Sequence, residues 1–306
     1  KVYGPEALAR LASGTDLDLS YEIKPDRYTR IRFRVNITAI LSRGRDSSQM
    51  TLRVLPNAPP SLKDLNIEQD IIDHWAPRQG IVIITGPTGS GKTTLLAAGN
   101  RMLLERPHGC GKMLTYEAPI EYVYDVIKSP RSLVAQTEIP RHLPDFAKGV
   151  RNALRRKPAI ILVGEARDRE TISATIEAAQ TGHAVYTTTH TVGVSATVQR
   201  MISTFEINER SERAYALMET IRMIVTQALV PRTDGGRVGV REWMRFPDEI
   251  REKLLDMDFI EWPATIQRMI PNYGRTMAES ARVAFENKLI DRRHYLLLAS
   301  SAGAGH

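Results

Sequence analysis

The sequence predicts an α/β protein in which a mostly parallel sheet, covered by helices on both faces, is preceded by a smaller strand-rich unit. Three observations carry this. From Ile81 to Thr188 short apolar runs of strand length alternate with helical stretches, the order expected of parallel strands joined by helical crossovers. Between Asp16 and Leu55 apolar and polar residues alternate one by one, the period of half-buried strands. Between these regions lies Pro56-Asn57-Ala58-Pro59-Pro60, whose prolines hold the chain extended.

Taken in order, Leu17, Leu19 and Tyr21 and then Ile31, Phe33, Val35 and Ile37, with Arg30, Arg32 and Arg34 interleaved, predict a small antiparallel sheet. Residues 1–57 are read as an amino-terminal domain whose start is missing, since Lys1 is no initiator. Residues 58–61 form a linker and 62–299 a second domain. In that domain the pattern predicts strands at Ile81–Thr85, Met113–Tyr116, Ala159–Val163 and Ala184–Thr188. Helices are predicted from Lys92, over Pro144–Lys157 and over Arg169–Gln180. From Ser211 to Ala299 the pattern reads as mostly helical, with a turn at Asp234-Gly235-Gly236 and a buried stripe of Ala281, Phe285 and Leu289. The last residues, 300–306, read as an appended remnant outside the fold. No internal repeat is present.

The composition narrows the function classes. With 42% hydrophobic and 25% charged residues the chain has the make-up of a globular protein. Its longest apolar runs fall well short of the roughly 20 residues of a membrane-spanning helix, so no transmembrane segment is expected. Cys110 is the only cysteine; no internal disulfide can form, which suits a reducing compartment. A net charge of +7 invites a nucleic-acid or membrane-surface partner. Aromatic residues are only 6%, however, and no basic segment is interleaved with them, so no direct nucleic-acid binding is expected.

The chemistry begins at Gly86-Pro87-Thr88-Gly89-Ser90-Gly91-Lys92-Thr93. This is a complete phosphate-binding pattern with an apolar strand before it and a helix opening at Thr94-Leu95-Leu96 after it, the context that distinguishes it from a chance match. Gly86, Gly89 and Gly91 let successive N–H groups turn towards phosphate at the positive end of the helix. Lys92 is expected to reach the β- and γ-phosphates and Thr93 to ligate Mg²⁺, so ATP and Mg²⁺ are the predicted ligands. Glu165, at the carboxyl end of the buried run Ile160–Gly164, is placed to orient or deprotonate a water; pairing with Arg167 is the plainer alternative. Glu117, in Thr115–Glu121, is placed to hold a Mg²⁺-bound water, with an exposed turn residue as the alternative. His183 and His190 flank Ala184–Thr188; on a strand through both they would face opposite ways, which argues against a shared metal. Each is instead a hydrogen-bond donor candidate, with a structural role as the alternative for His183.

The order of these segments resembles the secretion and pilus ATPases of the type II/type IV secretion superfamily. The resemblance rests on a phosphate loop at Gly86–Thr93, an aspartate box at Thr115–Glu121, a Walker B box at Arg151–Asp168 and a histidine box at Gly182–His190. It covers about Asp16 to Ala299. Tyr116–Glu121, Gln136–Pro144 and Leu154–Pro158 look most like the DotB and TraJ branch. Ala118 and Ala159 stand where many members carry aspartate, which leaves Glu117 as the acidic group of its box. The resemblance implies a RecA-like P-loop NTPase domain behind a smaller α+β, PAS-like domain. It also implies a cytoplasmic homo-hexamer at the inner membrane that hydrolyses ATP for a type IVB or conjugative apparatus, engaging that apparatus's membrane and cytoplasmic components. Arg30, Arg32, Arg34 and Arg53, with Arg151 and Arg155, are the candidates for guanidinium groups acting on a neighbour's phosphate. The competing readings are a PilT-like pilus retraction motor, a DNA-translocating ATPase and a nucleotide-dependent scaffold that does not hydrolyse.

Overall fold

Alternation between Asp16 and Leu55 produces the predicted small sheet. In the computed structural model, which describes residues 4–301, helix α1 (Ala7–Ala12) leads into strands β1 (Leu17–Ile23), β2 (Ile31–Ser42) and β3 (Arg45–Leu55), paired antiparallel in that order. Leu17 lies opposite Ile37 and Leu19 opposite Val35; these four side chains are buried together beneath Ala7 and Leu11 of α1. The two-residue period then turns Ser20, Arg32 and Arg34 to the other face, where they meet the rest of the molecule.

After Leu55 the chain runs without a strand to α2 (Gln69–Asp73). It continues through β4 (Gly80–Thr85), α3 (Lys92–Leu104), β5 (Gly111–Glu117), β6 (Ser132–Glu138), α4 (Phe146–Leu154), β7 (Ile160–Val163), α5 (Arg169–Gln180) and β8 (Ala184–Thr188). Next come α6 (Val194–Ser203), α7 (Arg210–Thr220), β9 (Ile221–Pro231), β10 (Arg237–Arg245), α8 (Asp248–Leu255), α9 (Trp262–Tyr273), β11 (Gly274–Arg275), α10 (Met277–Glu286) and α11 (Arg292–Ser301). The eight-stranded sheet has the order β11-β10-β9-β4-β8-β7-β5-β6. Its strands from β9 to β6 are parallel, and β10 and β11 extend it antiparallel.

Both faces are covered because both parities of each strand are apolar. Ile81 and Ile83 of β4 pack with α4 to α9 on one side, whereas Val82 and Ile84 pack with α2 and α3 on the other. Gly99 shows how tight the second layer is. A helix-interior glycine costs about 1 kcal/mol relative to alanine, but here a methyl group would run into the indole of buried Trp75, whose carbonyl accepts a 2.6 Å hydrogen bond from Tyr186 Oη.

Three expectations need correction. The region from Ser211 to Ala299 is mostly helical, as expected, but it also holds β9 and β10, strands of the main sheet that the pattern does not predict, and Asp234-Gly235-Gly236 is the hairpin turn between them, with φ of +98° and +75° at the two glycines. Ile221–Val230 is apolar apart from Arg222, Thr226 and Gln227 because most of it is buried on both faces, and such a run carries no clear period that separates strand from helix. The strand β6 has no counterpart among the expected elements. A remnant outside the fold from residue 300 does not fit α11, which continues through Ser301; residues 302–306 lie outside the described residues. Among the described residues no helix is long and apolar enough to cross a membrane.

Candidate active site

Parallel register brings the carboxyl ends of β4, β5, β7 and β8 to one edge, so the turns that follow them converge. The cleft there has a volume of about 610 Å³ and is lined by the phosphate loop, by Glu117, Glu121, Glu165 and His190, and by Arg34 and Arg53 of the small sheet. Gly86, Gly89 and Gly91 all have positive φ (+139°, +79° and +82°). A methyl group on Gly86 would meet the Gln227 carbonyl oxygen, and one on Gly91 would lie 2.9 Å from Gln227 Nε2. The loop is therefore pressed onto β9 and curls outward at its tip, with Pro87, Thr88 and Gly89 exposed and Gly91 capping α3. Ser90 Oγ is buried without a hydrogen bond in the protein. A glycine cradle at a helix amino terminus fits a polyphosphate, and Thr93 at the cleft wall fits a hydroxyl ligand to Mg²⁺. Thr94 Oγ1 lies 3.0 Å from Tyr122 Oη and helps close that wall.

Lys92 Nζ donates to the carbonyls of Gly86 (2.7 Å) and Pro87 (3.0 Å) and lies 3.3 Å from His190 Nδ1. Burial lowers the pKa of its ammonium, and the negative charge of Glu165 opposes that shift. His190 Nε2 is 3.4 Å from Glu165 Oε1. One tautomer satisfies both contacts: Nδ1 accepts from Lys92 and Nε2–H points at the Glu165 carboxylate. The backbone beneath Glu165 is fixed as well, because Thr188 Oγ1 donates to Gly164 O at 2.6 Å and Gly164 N to Tyr116 O at 2.7 Å. Glu165 is thus a half-buried carboxylate held at the cleft by a histidine that also touches the loop lysine.

Glu117 is buried rather than exposed in a turn. Its Oε1 accepts from Thr115 Oγ1 (2.6 Å) and Gln136 Nε2 (3.0 Å). Burial pushes its pKa from 4.5 to about 7, against the lowering effect of those two hydrogen bonds and of Arg32. The folded state therefore holds a proton that the unfolded chain has released between about pH 4.5 and 7, so this residue makes stability fall as pH rises through that window. Glu117→Gln removes the dependence. Its stability relative to the wild type is expected to rise between pH 4.5 and 8 by roughly 3 kcal/mol, measured from urea unfolding midpoints. Equal pH slopes for the two proteins would contradict the assignment.

The candidate arginines separate into groups. Arg34 and Arg53 both reach Glu121 Oε1, at 3.1 and 2.7 Å, and line the cleft; Arg34 also pairs with Asp18 at 2.5 Å. Arg32 is buried and donates to the carbonyls of Ile120 and Glu121, each at 2.7 Å. Arg30 pairs with Glu22 and with Asp125 (2.8 Å). These last two fasten the small sheet to the turn after β5, and neither lines this chain's own cleft. Arg151 on α4 and Arg155 just past its end are exposed outside the cleft, while Val150 and Ala153 of the same helix face inward. His183 is the clearest correction. It precedes β8 at the opposite edge of the sheet, roughly 20 Å of strand from His190, and its Nδ1 lies 3.0 Å from Ala178 O. Strand polarity alone could have excluded it. Gln227 and Arg241 support the site from buried positions and Gln136 from a half-buried one; no spacing or motif in the sequence singles out Gln227 or Arg241.

Comparison with known proteins agrees with this geometry. The family model for type II/IV secretion system protein matches residues 15–255. A twitching motility protein of Neisseria gonorrhoeae is 34% identical over 279 residues, covering 90% of this chain and 70% of that protein. The solved structure of the Legionella pneumophila ATPase DotB superposes with a TM-score of 0.95 at 49% identity, covering 98% of this chain and 81% of the other. The pilus retraction motor PilT, solved with bound ADP, superposes at 0.82 with 29% identity, covering 97% and 81%. With a RecA-like sheet, a phosphate loop at its carboxyl edge and a match across most of its length, the chain belongs to the type II/IV secretion system protein family of ATPases.

Proposed function

We propose that this chain is an ATP-hydrolysing motor subunit that energises a type IVB secretion (Dot/Icm-like) or conjugative apparatus, working as a homo-hexamer on the cytoplasmic side of the inner membrane. The observation that carries the hydrolytic reading is the convergence of Lys92, His190, Glu165 and Glu117 on the cleft at the phosphate loop. Lys92 and the loop amides hold the β- and γ-phosphates, and the Thr93 hydroxyl holds Mg²⁺, which neutralises phosphate charge when bound. Glu165 orients the attacking water and takes its proton, His190 keeps that carboxylate in place, and Glu117 would hold a water of Mg²⁺ when the ion is bound. Arg34 and Arg53 from the small sheet, and Arg151 and Arg155 from a neighbouring subunit, supply positive charge to the transferring phosphoryl group. The unit formed by residues 1–57 turns against residues 62–299 about the 58–61 linker as the cleft opens and closes.

The secretion assignment is supported by the similarity to DotB at 49% identity, against 29% for PilT. The PilT-like retraction motor is the second reading, favoured by the twitching motility relative. The test is particle mass with and without MgATP, followed by capture of partners from a membrane extract. A sixfold particle that releases phosphate and retains secretion coupling components supports the reading. Retention of pilus platform proteins instead moves it to retraction, and stimulation by DNA that vanishes with added salt moves it to translocation.

A further inference from the structure

The floor of the phosphate loop is occupied by a chain of buried polar groups that the phosphate chemistry does not itself use. Gln227 on β9 donates from Nε2 to the carbonyl of Ser90 at 2.7 Å. Its Oε1 accepts at 2.7 Å from Arg241 Nε on β10, which fixes the amide in that orientation. Arg241 is 2% exposed, and its remaining nitrogens face one short segment: Nη1 contacts Glu68 Oε2 at 3.0 Å and Asn66 O at 3.4 Å, and Nη2 contacts Leu65 O at 3.3 Å. Space for the guanidinium is left by Gly239, where a methyl group would lie 2.5 Å from Nη2. We infer that Gln227 and Arg241 are positioning residues for nucleotide binding, forming with Glu68 a buried relay that aims the phosphate loop from the chain segment just after the joint between the two sheets.

In a planar trans peptide the C=O and the following N–H point in opposite directions. Holding the Ser90 carbonyl down onto Gln227 therefore turns the Gly91 N–H up into the cradle, immediately before Lys92. Gly91 tolerates the left-handed φ that this requires. The contact is close, since a methyl group on Gly91 would sit 2.9 Å from Gln227 Nε2. At the other end, the planar fork of Arg241 binds a carboxylate, two carbonyls and an amide oxygen in one fixed geometry that a lysine cannot reproduce. Burial lowers the Arg241 pKa and Glu68 counters it, so the charge is stabilised by the same segment that it senses. Residues 65–68 lie only a few positions beyond the Pro56–Pro60 joint, and a shift of that segment moves Arg241, then Gln227, then the Ser90 peptide.

The inference deepens the ATP-binding reading, and the test separates the two. In the full chain, Gln227→Glu keeps the Arg241 contact and replaces the donor facing Ser90 O by an acceptor; Gln227→Met removes the donor without adding charge; Arg241→Lys keeps the charge and loses the fork. Three quantities are measured: urea midpoint, deuterium uptake of the peptide spanning 86–94 without nucleotide, and affinity for a fluorescent ATP analogue with Mg²⁺. Gln227→Glu is expected to retain a near-wild-type midpoint while uptake rises and affinity falls by about tenfold or more. Gln227→Met and Arg241→Lys are expected to change uptake and affinity in the same direction by several-fold. Wild-type uptake and affinity in folded Gln227→Glu and Gln227→Met would overturn the inference, as would loss of folding in all three variants, which marks a purely structural network. If the wild type fails to bind the analogue, the ATP reading fails while the uptake comparison still judges the relay.

Discussion

Lys92→Ala is expected to abolish nucleotide binding at concentrations that saturate the wild type, weakening affinity by about 10²- to 10³-fold through the loss of two charge-assisted contacts to phosphate. The surroundings make the loss severe. Glu117, Glu121 and Glu165 all line the same cleft, and without the ammonium the polyphosphate meets an acidic wall offset by Arg34, Arg53 and Arg237, the first two already engaged by Glu121. The loop also loses an internal fastening, because Lys92 Nζ holds the carbonyls of Gly86 and Pro87. Equilibrium titration with a fluorescent ATP analogue measures the effect, and near-wild-type affinity would refute the assignment of this loop as the phosphate site.

Glu165→Gln separates chemistry from binding. The amide has the shape of the carboxylate, and its oxygen still accepts from His190 Nε2 across the 3.4 Å contact, so the cleft keeps its form. What disappears is the basic oxygen that takes the proton from water. General-base contributions of this kind are worth about 10²- to 10⁴-fold, and turnover is expected to fall within that range. Affinity for ATP stays unchanged or increases slightly, since one negative charge is removed from beside the phosphates. Single-turnover phosphate release measured beside the binding titration resolves the two effects. Unchanged phosphate release would assign Glu165 to structure and leave the base elsewhere in the cleft.

Local signals were legible in the sequence wherever period and direction were enough. The boundaries of α5 at Arg169–Gln180 and of β8 at Ala184–Thr188 match their patterns residue for residue, and the phosphate loop is readable because its glycines, lysine and threonine serve a backbone geometry set over a few residues. The place of Glu165 at the cleft was readable for the same reason, just past a short run buried on both faces. The remainder depends on tertiary partners. The carboxylates Asp18, Glu22, Glu121 and Asp125 that engage Arg30, Arg34 and Arg53 sit on other elements, so an arginine placed in the small sheet could not be sorted into cleft wall or fastening. Burial of Glu117 follows from the packing of β5 between β6 and β7, and the identity of β9 as a neighbour of β4 comes from a pairing that crosses more than a third of the chain. Gln227 is one amide among many until that pairing brings it under Ser90.

That late pairing has a consequence for the protein during its own synthesis. Ser90 and Gln227 are 137 residues apart, and β4, which delivers the loop, is flanked by β8 and β9. A ribosome that has released everything through α3 has produced every residue of the phosphate-binding motif but not its floor. At a synthesis rate of about 5–20 residues per second, several seconds pass before Ile221–Pro231 emerges and the cradle acquires its lower surface. Competence to hold nucleotide is thus a property of a polypeptide synthesised through β9, and a nascent or truncated chain that stops before β9 carries the motif without the means to use it.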